Sequence, residues 1–191
     1  MWQELFRPLP PLMPVQDLNS YQLPDSWRCG SPIQRILWIP LIRPLVASWI
    51  PGTFWRQVLL RLFGASIGLG GRIKPRVCIT APWNLTIGDN CWLGEELWID
   101  NLAKVVIGDH VCISQGAYLC TGNHDFRSPQ FDLRLGPITV QSEAWIAAHS
   151  VLGPGITVGA GAIVSLGAVA LADVPTHAIV QGNPAVVVSQ R

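Results

Sequence analysis

His124 stands beside Asp125 in the run Cys120-Thr121-Gly122-Asn123-His124-Asp125-Phe126. An imidazole changes charge near neutral pH, so a histidine next to a carboxylate is a candidate acid–base centre. The other three histidines have plainer settings. His110 sits in the turn Gly108-Asp109-His110, where a polar residue faces water; His149 lies in a later turn and His177 near the C-terminus. Five cysteines (Cys29, Cys78, Cys91, Cys112 and Cys120) form no C-x-x-C pair, and their count is odd. Neither a zinc ribbon nor a disulfide framework is therefore expected. They read as buried, reduced thiols of a cytosolic protein.

What must position His124 is a repeat of six. Large aliphatic residues fall at Ile67, Ile73 and Ile79, then Ile87, Leu93 and Ile99, then Ile107, Ile113 and Leu119. The series resumes at Val140, Ile146, Leu152, Val158 and Val164, and Ala170 closes it. A period of six excludes a long helix of period 3.6. It fits a short strand and a tight corner, with three strands closing one triangular coil. One aliphatic residue per strand would point inward and stack on the next coil at about 4.8 Å. Glycines after the aliphatic positions, with Asp89, Asn90 and Asp109, would supply the corner conformations. The fold expected is mainly β: a parallel β-helix over residues 67–174.

Three parts depart from that rhythm. The stretch 120–139 breaks the coil, and a long loop leaving a rigid solenoid is usually functional. Its Arg127, Asp132 and Arg134 would shape a pocket or simply face water. Residues 1–66 are rich in Pro and Trp, and 175–191 form a tail. Within 1–66, Phe54 to Phe63 reads as an amphipathic helix with Trp55, Val58, Leu59 and Leu62 on its apolar face and Arg56, Gln57 and Arg61 elsewhere. Ile36 to Ile50 is apolar but cut by Pro40, Arg43 and Pro44, too short for the roughly 20 residues of a spanning helix. Packing over the end of the β-helix is expected for this region, with contact to a membrane surface through residues 33–63 as the alternative. The start of the chain lacks a basic segment followed by an apolar core, so no secretory signal is expected. A net charge of +1 advertises no nucleic-acid partner. Hydrophobic content of 49% with only 13% charged residues calls for apolar surface covered by sister subunits or a membrane.

The sequence resembles the hexapeptide-repeat O-acetyltransferases, which include maltose and galactoside acetyltransferases, and most of all their colanic acid and exopolysaccharide branch. The likeness is carried by Leu59-Leu60-Arg61-Leu62-Phe63-Gly64-Ala65, by Tyr118-Leu119-Cys120-Thr121-Gly122-Asn123-His124-Asp125, by Pro154-Gly155-Ile156-Thr157-Val158-Gly159 and by Gly182-Asn183-Pro184-Ala185. It implies a left-handed coil and a homotrimer with active sites between adjacent β-helices. It also implies acetyl-CoA as co-substrate, no metal, and a sugar hydroxyl as acceptor. His124 matches the family's catalytic histidine, the general base of a direct transfer. Trp145, Ala148 and Leu166 match positions on the acetyl and pantetheine channel, although Trp145 also reads as subunit packing. Glu96 is placed by the resemblance in support of the imidazole or the acceptor, with Glu95 as the neighbour that a one-residue register error would exchange for it and Asp100 and Asn101 close behind. Asn123 joins the same group, and Asp125 would either orient His124 or cap the loop.

The chain departs from this family at its end. Relatives place Lys or Arg where the CoA phosphates lie, whereas here the matching positions are Leu171, Ala172, Val186 and Ser189, with only Arg191 nearby. A non-catalytic β-helix scaffold is therefore one competing reading. A γ-class carbonic anhydrase is another, and it would need His110, His124 and His149 to converge on zinc across a subunit boundary. Either way a cytoplasmic location is expected, with the inner face of the membrane as its variant.

Overall fold

The computed structural model describes residues 16–23 and 30–191. Its body is a parallel β-helix of about six turns whose three faces are three stacked sheets. The first face stacks Ser66–Ile67, Leu85–Ile87, Val105–Ile107, Ile138–Val140 and Thr157–Val158. The second stacks Arg72–Ile73, Trp92–Leu93, Cys112–Ile113, Trp145–Ile146, Ile163–Val164 and Ala178–Gly182. The third stacks Cys78–Ile79, Trp98–Asp100, Tyr118–Cys120, Val151–Leu152 and Val169–Ala170. Register follows the period of six: Ile87 pairs with Ile107, Leu93 with Ile113 and Ile99 with Leu119.

Each face buries two residues rather than the one expected. Leu85 and Ile87, Leu97 and Ile99, Val111 and Ile113, and Ile138 and Val140 all point inward. Residues two apart in extended chain share a side, so the position before the strand proper adds a second inward column. Ser150 is the polar member of that column, and its hydroxyl donates to the Ala147 carbonyl at 2.7 Å.

The corners also correct the sequence reading. One corner column is left-handed in five successive coils, at Arg76, Glu96, Gly116, His149 and Gly167, so only two of the five are glycine. Glycines that follow the aliphatic residues serve a different need. A Cβ on Gly88 would lie 2.7 Å from the Gly108 backbone carbon, and one on Gly94 would lie 2.5 Å from the Gln115 nitrogen. It is close approach between coils that excludes a side chain there. Asp89 and Asp109 do act in turns: Asp89 accepts from the Leu69 N–H and Asp109 from the Asp89 N–H, both at 2.7 Å.

Helices α1 (Pro32–Leu37), α2 (Arg43–Val46) and α3 (Phe54–Leu62) cover the start of the coil. Ser31 and Gln34 form a reciprocal cap that starts α1. Between α1 and α2 the helix widens to a π-turn over Trp38–Ile42, where Pro40 removes a backbone donor, as Pro44 does in the first turn of α2. No helix among the described residues is long and apolar enough to cross a membrane.

The face by which α3 seats differs from the expectation. Arg56 and Leu60 are its buried pair, while Leu62 is 72% exposed. Arg56 donates to the carbonyls of Val46, Ser48, Ile50 and Gly52 at 2.6–2.9 Å. Gln57 donates to the Gly71 carbonyl, and Arg61 to those of Ile67 and Gly68. The loop and the first coil present unpaired carbonyls, and only donors can satisfy them. Arg56 and Gln57 therefore turn to the protein, while Trp55 and Leu59 both pack partly on the core and line an outer groove with Val58, Leu45, Ile50 and Phe54.

The tail is an integral part of the stack. Ala178–Gly182 adds to the second face beside Ile163–Val164, and Ala185–Gln190 folds back against it antiparallel.

Candidate active site

The stretch 120–139 leaves the coil as a β-hairpin. Gly122–His124 pairs antiparallel with Leu133–Leu135, and the chain re-enters the first face at Ile138. The hairpin rises from the corner between the third and first faces. Thr121 anchors its root, accepting from the Ala103 N–H and donating to the Asp100 carbonyl.

His124 sits half-buried at the end of the outgoing strand. Its ring stacks on Phe131 at 4.3 Å between centroids, and Tyr21 packs against it at 5.7 Å. Nδ1 lies 2.7 Å from the Phe131 carbonyl oxygen. A carbonyl oxygen only accepts, so Nδ1 carries the proton and a neutral ring keeps its lone pair on Nε2. Phe131 holds φ +54°, a conformation that a bulky side chain rarely adopts. That turn brings its carbonyl back toward the imidazole. Sequence gives no sign of this partner, because the group is a backbone oxygen across the hairpin.

Asp125 serves the hairpin. Its carboxylate accepts from the Arg127 N–H at 3.1 Å and pairs with Arg134. Asp132 accepts from the Ser128 hydroxyl at 2.6 Å. The loop charges thus close the hairpin on itself. The segment around Asp17 braces its tip, through the Asp17 N–H on the Pro129 carbonyl at 2.8 Å. Asn123 is exposed, and its side-chain oxygen accepts from the His124 N–H at 2.8 Å.

A second cluster forms at the corner between the second and third faces. Trp145, Ala148 and Leu166 line one cleft of about 420 Å³ with Ser114, Gln115 and Ser165. Trp145 is 45% exposed, and its indole N–H donates to the Ser114 hydroxyl at 2.9 Å. The N–H groups of Ala148 and Leu166 donate to no group among the described residues. Glu96 belongs to this corner too, paired with Arg76 at 2.7 Å and exposed. Within one chain, the third face therefore separates Glu96 and the cleft from His124.

Of the alternatives to Glu96, Asp100 is the one beneath the hairpin. It pairs in register with Cys120 and accepts from the Thr80 hydroxyl at 2.9 Å and the Tyr118 hydroxyl at 3.4 Å. Burial and the neighbouring Cys120 and Asp100 push the Tyr118 phenol well above its ordinary range. Asn101 is fully buried and tied to Ala81, with its side-chain oxygen accepting from the Ala81 N–H at 2.9 Å, which makes it a rung of the corner.

The coil also places the cysteines and the remaining histidines. Among the described cysteines only Cys91 is buried, and burial raises its thiol pKa. Cys78, Cys112 and Cys120 take outward strand positions and are half-buried, and Cys29 lies outside the described residues. His110, His124 and His149 stand on three different corners, so they form no zinc set within one chain. Arg191 is directed away from the cleft, donating to the carbonyls of Glu143 and Gly161.

No protein-family model matches the chain. It is 38% identical over 179 residues to WcaF of Escherichia coli K12, assigned to colanic acid biosynthesis as an acetyltransferase, covering 93% of this chain and 98% of that one. The chain belongs to the hexapeptide-repeat acetyltransferases. Galactoside O-acetyltransferase of Escherichia coli K12 is 29% identical over 139 residues, 71% of this chain and 68% of that one. A hexapeptide-repeat acetyltransferase of Vibrio cholerae, solved with acetyl-CoA, shares the fold with a TM-score of 0.70 at 24% identity, over 76% of this chain and 81% of that one. Both the resemblance and the β-helix read from the sequence are thereby borne out. In this acetyltransferase His124 and the cleft lined by Trp145, Ala148 and Leu166 occupy separate corners of the β-helix.

Proposed function

We propose that this acetyltransferase moves acetyl from acetyl-CoA to a hydroxyl of a sugar in exopolysaccharide synthesis, with His124 as general base. The observation that carries the reading is the Phe131 carbonyl on Nδ1, which leaves Nε2 as the proton acceptor. Nε2 takes the hydroxyl proton as that oxygen attacks the thioester carbonyl. The tetrahedral oxyanion is met by backbone donors, for which the unpaired Ala148 N–H is the candidate. Collapse breaks the C–S bond, and the imidazolium returns its proton to the departing thiolate. The products are an O-acetyl sugar and CoA. No acyl-enzyme is needed, because holding both substrates side by side supplies much of the rate.

The two separated corners support a homotrimer in which one copy's hairpin faces the next copy's cleft. Glu96 of that next copy would then reach the acceptor. The exopolysaccharide assignment leans on WcaF. Work at the inner face of a membrane is supported by the exposed apolar residues of the N-terminal helices.

One feature favours a second reading, a β-helix without catalysis. Leu171, Val186 and Ser189 are exposed where phosphate-binding cations are expected, and Arg191 is held elsewhere. Release of CoA on a panel of sugars, with His124→Ala beside the wild type, decides between them. Turnover that vanishes in the variant supports His124 as base. Absent turnover together with absent acetyl-CoA binding would leave only the scaffold. Mixing His124→Ala with Ala148→Trp subunits tests the shared site, since activity should return only if each site draws on two copies.

A further inference from the structure

The imidazole of His124 lies against two aromatic rings that come from different parts of the chain. Phe131 belongs to the turn of the hairpin, and its ring stacks on the imidazole at 4.3 Å with only 5° between the planes. Tyr21 comes from the segment 16–23 and meets the imidazole at 5.7 Å, tilted by 57°. That segment is held at the hairpin tip by the Asp17 N–H on the Pro129 carbonyl. The Asp17 carboxylate then accepts from the Asn19 N–H at 3.0 Å and starts the short helical turn Leu18–Ser20 that delivers Tyr21. All three rings are half-buried.

The hydrogen bonds of the imidazole leave one need unmet. When Nε2 takes the proton of the acceptor hydroxyl, the ring becomes an imidazolium, and its charge has to be stabilised where it forms. A carboxylate on Nδ1 would do so, but Nδ1 has a neutral carbonyl. Both hairpin carboxylates are engaged elsewhere, Asp125 by Arg134 and the Arg127 N–H, Asp132 by the Ser128 hydroxyl. The face of an aromatic ring carries negative partial charge and attracts a cation within about 6 Å of its centroid. Phe131 and Tyr21 both lie inside that distance. Their contact is stronger for the charged imidazole than for the neutral one, so it favours the transition state over the resting state.

We infer that Phe131 and Tyr21 are positioning residues whose rings stabilise the His124 imidazolium in place of a carboxylate partner. Phe131 then acts twice: its carbonyl fixes the tautomer, and its ring steadies the charge that the tautomer makes possible. Tyr21 brings the segment ahead of the helical cap into the site. This rests on the proposed reading of His124 as base.

Turnover of the full chain with acetyl-CoA, using galactose, glucose and water as acceptors, tests the rings. Phe131 is replaced by mono-, tri- and pentafluorophenylalanine, which keep the outline of the ring and progressively withdraw charge from its face. The kcat should fall stepwise, by about tenfold over the series, with KM for acetyl-CoA and thermal melting unchanged. In a His124→Ala background the residual rate should be indifferent to the fluorines. Tyr21→Leu should cost about threefold in kcat and Tyr21→Phe less than about twofold, since only the ring is required. A kcat that stays flat across the series overturns the inference and reduces Phe131 to packing, even where Phe131→Leu is slow. So does a fluorine effect that persists in His124→Ala, or one that falls on KM alone, because the ring would then act on a substrate. Equal losses in Tyr21→Phe and Tyr21→Leu would give the effect to the hydroxyl and strike Tyr21 from the pair. His124→Ala at the wild-type rate, or a wild type without turnover, takes down the base and the rings together. An inactive His124→Ala beside a flat series takes down the rings alone.

Discussion

The coil stack and the hairpin that leaves it are held together by opposite means. In the stack, fully buried aliphatic residues such as Ile99, Ile113, Leu119 and Ile146 repeat with one coil per layer. Each such side chain contributes roughly 1.5–3 kcal/mol of burial. The hairpin has no such column. Its tip is closed by Asp125 with Arg134, by Ser128 with Asp132, and by the ring of His124 against that of Phe131. Stability thus resides in the repeating part, and the candidate base stands in the part that interrupts it. The two functions should separate cleanly under mutation.

The largest effect should come from the stack. Ile146 is fully buried and paired in register with Ile113 below and Val164 above. Ile146→Asp would bury an unpaired charge or a protonated carboxyl between apolar layers, at a cost above about 4 kcal/mol. We expect no soluble, cooperatively melting protein, and one that melted like the wild type would refute the inward register. The hairpin should behave in the reverse way. His124→Ala is expected to cut acetyl transfer by about 10²–10⁴-fold, the usual worth of a positioned general base. Its melting temperature and assembly should match the wild type. A variant that kept its rate would remove His124 from the chemistry, and one that unfolded would mean the hairpin is structural.

This contrast explains what could be read from the sequence. Ile87, Leu93 and Ile99 announce the coil because stacking demands the same kind of residue at every sixth position, and nothing distant has to be known. The second inward column was missed because Cys91, Ala117 and Ala144 are too small or too varied to show a pattern. For the site, His124 was legible from its place at a break in the rhythm. Trp145, Ala148 and Leu166 were found by resemblance, and they do share one cleft. The imidazole's partner was not legible, because any residue at position 131 supplies the same carbonyl. Arg56 misled for a related reason. A helical wheel assigns charge to water, and it contains no unpaired carbonyls for the charge to satisfy.

Arg56 supplies the next test, at a boundary that is neither stack nor hairpin. Burial lowers the pKa of its guanidinium, yet four backbone carbonyls accept from it. Arg56→Ala removes those donors together and should destabilise the helical cap by roughly 3 kcal/mol. Chemical denaturation should show an early transition of the cap, or a lower single midpoint if cap and coil melt together. A midpoint equal to that of the wild type would mean water replaces the guanidinium at no cost.

The smallest effect is the most informative about the hairpin. Asp125 touches the Arg127 N–H and Arg134, and the imidazole has the Phe131 carbonyl instead. Asp125→Asn keeps an acceptor for the N–H and loses only an ion pair whose arginine is 70% exposed. Exposed pairs of this kind are worth about 0–1 kcal/mol, so the transfer rate should stay within about fivefold of the wild type. The shape of its pH profile should also be preserved, since the charge nearest the ring is not what sets the tautomer. If Asp125→Asn instead lost activity on the scale of His124→Ala and moved the profile, the carboxylate would be the imidazole's partner during turnover. The hairpin would then have to rearrange when the substrates bind. With the rate and profile unchanged, a main-chain oxygen is enough to aim the base, and the adjacent acid does no more than close the turn that presents it.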